Sequence, residues 1–182
     1  MRKLFLFAAV AALAACNNDK VASMKSPESD TSKMAADVNY AYTATYSSKF
    51  EIGNTANTKK LLEIWKDWDN GNLMNHKDYY ADTVEMRFAD GSVARKNRDS
   101  ILAMASQYRN SFSAVRSEVD ALMPTRSIDK KEDWACVWGR EYRTNKNGTI
   151  DSSHLQESWR FDSTGKVNLM LQYARSAVPP KK

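Results

Sequence analysis

The last third of the chain is written in period two, and that restricts what it can fold into. Bulky and polar residues alternate through Val115, Val119, Ala121 and Met123 up to Pro124, then from Trp134 to Arg143, from Ser153 to Asp162 and from Lys166 to Arg175. Asn147-Gly148 and Asp162-Ser163-Thr164-Gly165 separate the last three stretches and are turns of hairpin type. Alternation sends successive side chains to opposite faces, so four such stretches joined by tight turns predict consecutive antiparallel strands with one buried face.

The preceding segments supply what covers that face. Leu61, Ile64, Trp65 and Trp68 fall at the i, i+3, i+4, i+7 spacing of an amphipathic helix, with Asn57 read as its cap and Gly71 as its stop. A second, short helix is predicted from about Leu73 to Tyr80. Val84, Met86 and Phe88 then alternate with Thr83, Glu85 and Arg87 ahead of Asp90-Gly91, which reads as a small hairpin. A third helix begins near Asn97 or Asp99 and carries Ile101, Met104, Ala105 and Tyr108. The expected architecture is α+β, with three N-terminal helices packed on one face of a strongly curved, mainly antiparallel sheet.

The N-terminus predicts a processed and anchored chain. Arg2 and Lys3 precede an apolar run from Leu4 to Ala12 and the tetrapeptide Leu13-Ala14-Ala15-Cys16, the layout of a lipoprotein signal in which Cys16 is acylated once 1–15 are cleaved. The run is shorter than the roughly 20 apolar residues of a transmembrane helix. Acyl chains contribute ~0.8 kcal/mol per buried methylene, so the expected membrane contact is a lipid anchor in the cell envelope. Asn17 follows Cys16 in place of an acidic retention residue, which favours the outer membrane. Loss of Arg2 and Lys3 changes the balance from 27 basic against 22 acidic residues to 25 against 22, a net +3. That charge is small and dispersed, and argues against nucleic acid as a partner. Cys136 is the only other cysteine, so with Cys16 acylated no internal disulfide is expected.

Residues 16–50 read as a tether followed by an extended arm in which Tyr40, Tyr42, Tyr46 and Phe50 alternate. Residues 51–177 form the expected folded domain, and 178–182 a short tail. The element order, the run Trp159-Arg160-Phe161-Asp162-Ser163-Thr164-Gly165-Lys166-Val167, the ending Gln172-Tyr173 and the stretch Asp78-Tyr79-Tyr80-Ala81-Asp82-Thr83-Val84 together resemble the nuclear transport factor 2-like superfamily, and within it the SnoaL-like proteins. The resemblance implies a cone-shaped fold with a pocket between sheet and helices, and homodimerisation through the outer sheet face. It implies no single activity.

Candidate pocket residues follow from strand phase. Leu155, Glu157, Trp159 and Phe161 share one phase, which places Glu157 on an apolar, inward face, where a carboxylate is suited to general acid or base work or to a structural hydrogen-bond network. Gln172, in phase with Met170, is expected to point at the same pocket, and Trp138 and Tyr142, in phase with Trp134, are candidates to line it. Tyr79 and Tyr80 are placed at its mouth. Enzymes of the resembled superfamily often carry an acid on the last strand, where Asn168, Gln172 and Arg175 stand here. His76 and His154 fall in polar settings, and with Cys136 they form no zinc motif. No phosphate loop or nucleophile elbow is present, and no cofactor or metal is expected. Two function classes stay open. The first is a non-catalytic envelope module that binds a small hydrophobic ligand or a protein partner. The second is a cofactor-independent isomerase or dehydratase with Glu157 as acid/base. The binding module comes first, because a second acid or a pocket histidine is missing from the sequence reading.

Overall fold

The computed structural model describes residues 39–177. The expected signal, Cys16 and the stretch 17–38 lie outside the described residues, as does the 178–182 tail. The chain divides into two units, 1–41 and 42–182; of the first only 39–41 are described, and they form no helix or strand.

In the second unit, strand β1 (Phe50–Ile52) leads into helix α1 (Thr55–Asn70). Strands β2 (Tyr80–Arg87) and β3 (Val93–Asn97) come next, then helix α2 (Arg98–Arg109) and strands β4 (Phe112–Ser127), β5 (Asp133–Asn145), β6 (Ile150–Phe161) and β7 (Val167–Ser176). All seven strands form one sheet in the order β1-β4-β5-β6-β7-β2-β3. Neighbours are antiparallel except β2 and β7, which run parallel. The fold is α+β, as the alternation predicts, with β1 as an additional edge strand.

Two α-helices are present among the described residues, not three. Where a helix is predicted from Leu73 to Tyr80 there is one 3-10 turn, Lys77–Tyr79. Asn75 Nδ2 and His76 Nδ1 both bond back to Asp67 of α1, at 3.3 and 2.7 Å, and Tyr80 is already extended and paired with Val167. The few residues between Gly71 and Tyr80 are too short a run to nucleate a helix against those bonds.

Helix α1 also starts earlier than its sequence pattern suggests. Asn54, not Asn57, is the cap and accepts from the Ala56 amide at 2.9 Å; Asn57 is buried within the helix. Gly53 allows this early start, since a Cβ there would lie 2.6 Å from the Thr125 carbonyl. At the other end Gly71 takes φ 74°, the left-handed stop that glycine permits. Buried Arg109 of α2 then donates to the Trp68 and Asp69 carbonyls at 2.7 and 2.8 Å. A cation thus satisfies orphan acceptors at the negative end of α1 and ties the two helices together.

Strand β4 does not end at Pro124 but runs on to Ser127. The nitrogen and carbonyl of one strand residue point to the same side, and the Pro124 carbonyl accepts from Gly53 N at 3.1 Å. The proline nitrogen therefore faces the β1 edge, beyond the three residues that β1 pairs, and no ladder bond is lost. Of the four aromatic residues expected to form a packed arm, only Tyr46 is packed, edge-on to Trp134 at 5.2 Å between centroids. Tyr40 and Tyr42 are exposed, and Phe50 joins β1 half out in solvent.

The core lies between the helices and one sheet face, around Leu61, Val84, Ile101, Leu102, Val137 and Val167. Each such side chain contributes about 1.5–3 kcal/mol on burial. On β5 the inward residues are small: Ala135, Val137 and Gly139 are buried, and a Cβ on Gly139 would meet the Glu118 carbonyl oxygen at 2.4 Å and the Trp65 ring at 3.0 Å. Glycine here is what lets α1 lay a tryptophan directly on the sheet.

Candidate functional site

A cavity of about 530 Å3 opens between the inward sheet face, both helices and the β2–β3 turn. Its walls are aromatic and aliphatic, with a few polar groups, as in most small-molecule sites. Two of those groups are carboxylates held by tryptophans of α1. Trp65 and Trp68, three residues apart and so on one helix face, donate their indole N–H groups to Glu157 of β6 at 2.8 Å and to Glu141 of β5 at 2.5 Å.

Glu157 is 5 % exposed. Its Oε2 accepts from both Trp65 and Trp159 Nε1, the latter at 2.9 Å, and its Oε1 accepts from Gln172 Nε2 at 2.9 Å. Gln172 is its direct cross-strand partner on β7. Three neutral N–H donors therefore hold this carboxylate. Such donors fill both acceptor sites of Oε2 and one of Oε1, leaving the other open, and bring no opposite charge.

Glu141 is 7 % exposed and is the second acid that the sequence reading did not find. Burial pushes its carboxyl above the ordinary glutamate value of 4.5, against the lowering pull of Arg143 and the Trp68 hydrogen bond. The Arg143 Nε lies 3.4 Å from Glu141 Oε1, and that guanidinium also donates to Ser153 Oγ at 3.1 Å and to the Tyr108 hydroxyl at 3.3 Å. Asp67, 5 % exposed, lines the cavity from α1 while bonding Asn75 and His76. His76 is thus engaged with a cavity acid, although its sequence setting is polar.

Glu157, Gln172, Trp159, Met170 and Tyr80 all line the cavity. Trp138 and Tyr142 do not, which corrects their candidacy. They lie one residue out of phase with Val137, Gly139 and Glu141, on the opposite sheet face, where the Tyr142 ring sits under the Arg116 guanidinium and its hydroxyl donates to Glu118 at 3.3 Å. The bulk of Trp138 and Tyr142 marks the wrong phase because the inward positions of β5 must stay small beneath Trp65. Gly139 is the signal in the sequence that points to the other phase and, with it, to Glu141.

The two mouth tyrosines also separate. Tyr79 donates to Glu63 at 2.8 Å, away from the cavity lining. Tyr80 is enclosed rather than at the mouth: it is 4 % exposed, and its ring stands edge-on to Trp159 at 6.3 Å. Burial, with the nearby Glu157 and Asp67 charges, pushes its phenol pKa upward, so the hydroxyl keeps its proton. No hydrogen bond joins that hydroxyl to any described residue. Cys136 is a free, half-buried thiol on the outer face, 3.4 Å from Ser158 Oγ, and burial raises its pKa. Among the described residues no group of three or more His, Cys, Asp or Glu is placed to hold a metal ion.

No family model matches the chain, and no curated protein matches it in sequence. Solved structures do match it in fold. A candidate SnoaL-like polyketide cyclase from Shewanella denitrificans superposes with a TM-score of 0.56 at 10 % identity, covering 67 % of this chain and 92 % of that one. AclR, a candidate hydroxylase from Streptomyces galilaeus, gives 0.52 at 17 % identity over 66 % and 90 % of the two chains. A nuclear transport factor 2-like protein of unknown function from an Exiguobacterium species gives 0.51 at 8 % identity over 63 % and 97 %. The fold of the described domain is therefore the nuclear transport factor 2-like fold.

Proposed function

We propose that this chain is an acylated envelope protein, tethered through Cys16, whose domain binds a small and largely apolar ligand in its cavity without transforming it. The observation that carries the reading is the cavity itself, about 530 Å3 of open space among largely aromatic and aliphatic walls. Space on this scale suits a ligand of drug-like size. The binding reading is supported by the state of Glu157: two indoles and an amide hold this side chain in one orientation at the cavity wall, as a group that positions a ligand requires. Gln172 orients Glu157 in that network. Among the described residues no helix is long and apolar enough to cross a membrane.

The test is native mass spectrometry of the full chain purified from its own host, alongside Ala174→Trp. Ala174 lines the cavity yet is exposed at the end of β7, so a tryptophan there is expected to fill the opening while leaving the core intact. A small molecule bound to the wild-type chain and absent from the variant is the expected result. Equal retention of that molecule by both proteins would place it elsewhere and sink the reading.

A further inference from the structure

The cavity differs in charge from the chain around it. The full sequence carries a net +5, whereas the acidic and basic side chains that line the cavity are Asp67, Asp90, Glu141 and Glu157 against Arg143 alone. Asp90, at the mouth, is held ionised, since hydrogen bonds from Ser92 lower its carboxyl below the ordinary aspartate range. Arg143 lies beside Glu141 and the His76 ring bonds Asp67 at 2.7 Å, which leaves Asp90 and Glu157 as the lining carboxyl groups with no basic side chain bonded to them among the described residues. A second and independent observation is Tyr80. A phenol hydroxyl on a residue 4 % exposed ordinarily finds a partner within the protein, and this one lines the cavity with none among the described residues. The rings of Trp65, Trp68 and Trp159 complete the lining, and their faces attract cations.

We propose that the ligand is a hydrophobic organic cation, an ammonium borne on an aromatic or aliphatic frame, seated with its nitrogen toward the Tyr80 hydroxyl and the Glu157 carboxylate. This deepens the ligand-binding reading above and rests on it. The phenol oxygen and the carboxylate accept N–H bonds, the indole faces surround the charge, and the apolar frame extends toward Leu73, Phe88 and Met104 at the mouth. The use of neutral donors around Glu157 now has a purpose: they fix the carboxylate in place and leave its charge for the ligand. An anionic ligand would meet uncompensated carboxylates, and a neutral one would leave their charge unused.

The experiment is isothermal titration of the full chain in detergent, with empty-micelle controls, using three probes on one frame: tryptamine, tryptophol and indole-3-acetate. Tryptamine is expected to bind at least tenfold tighter than tryptophol, with indole-3-acetate the weakest and the preference shrinking as salt is added. Tyr80→Phe, which removes only an unpartnered oxygen, is expected to weaken tryptamine about fivefold, and exposed Asp90→Asn to lower the amine preference severalfold. Tryptophol or indole-3-acetate binding as tightly as tryptamine would overturn the inference, as would tryptamine affinity unmoved by Tyr80→Phe. A neutral or anionic molecule found by native mass spectrometry, lost in Ala174→Trp, would overturn the cation alone and leave the ligand-binding reading standing. Failure of all three probes, with no molecule co-purifying, would overturn both.

Discussion

The two faces of this sheet treat their carboxylates in opposite ways. On the outer face Glu118 accepts from Arg116 and lies 3.0 Å from Arg140, and Glu85 is paired with Arg87 at 2.7 Å. On the inner face Glu157 accepts from two indoles and an amide, and Glu141 accepts from the Trp68 indole with the Arg143 guanidinium 3.4 Å away. The contrast extends to proton affinity: the Arg116 hydrogen bond leads in holding Glu118 below the ordinary glutamate value, while burial drives Glu141 above it. Water screens the outer pairs, so full ion pairing there contributes little. Inside, the neutral donors fix Glu157 in place without setting an opposite charge beside it. The inner arrangement is costly to build and is the one expected when a charge is reserved for an incoming group.

The largest effect expected from this contrast is at Glu157. Glu157→Ala leaves two buried indole N–H groups and the half-buried Gln172 amide without an acceptor, and each such loss carries a penalty, so a cost of about 3–5 kcal/mol is expected in urea unfolding. The isosteric Glu157→Gln should retain most of that stability, because its carbonyl can accept from both indoles while Gln172 turns its own carbonyl toward the new amide. An alanine variant as stable as wild type would break the contrast at its centre. Next comes Gly139→Ala. The added methyl would overlap the Glu118 carbonyl and crowd Trp65, and overpacking of this kind costs about 1–3 kcal/mol. The loss should appear with a red-shifted tryptophan emission as Trp65 lifts off the sheet; unchanged emission would mean that the contact does not hold α1.

Glu141 sharpens the contrast through pH. Its folded carboxyl titrates above 4.5, so as pH rises the unfolded chain releases this proton first, and the fold loses stability from about pH 4.5 up to the folded value. Glu141→Gln removes that loss while keeping an acceptor for Trp68. The two proteins should be of similar stability near pH 4 and the variant ahead near pH 7, read as unfolding midpoints across that range. Parallel pH profiles would show that burial does not govern this acid.

Where the sequence was readable, and where it was not, follows the same division between local and tertiary causes. The alternating stretches, the Gly71 stop and the Asn97 cap, which accepts from Ser100 N at 2.8 Å, depend on residues close in sequence and are legible there. So is the inward phase of β6, since Leu155, Trp159 and Phe161 share it with Glu157 and no other element competes. The phase of β5 was misread because Gly139 makes sense only once Trp65 lies over it, 74 residues away in sequence. Glu141 went unseen with that phase. The absent helix after Gly71 has a similar origin, as the bonds from Asn75 and His76 to Asp67 are available only when α1 is already formed. Arg109, which looks like an ordinary basic residue in the last turn of α2, closes the end of a different helix.

The smallest expected effect lies at Glu118, and it makes the comparison fair. Glu118→Gln keeps the side-chain shape and an acceptor for the Tyr142 hydroxyl while removing the charge that Arg116 and Arg140 share. If solvent screening is why the outer face uses ion pairs, the unfolding midpoint should stay within error of wild type, and added salt should not separate the two proteins. Arg116 would still rest on the Tyr142 ring, 4.3 Å from its centroid, and cation–π contact of this kind is insensitive to a neighbouring amide. A loss at Glu118 as large as that of Glu157→Ala would show that charge removal hurts equally on both faces. The tryptophan-held carboxylates would then be ordinary structural acids, and their neutral donors would carry no message about what the cavity receives.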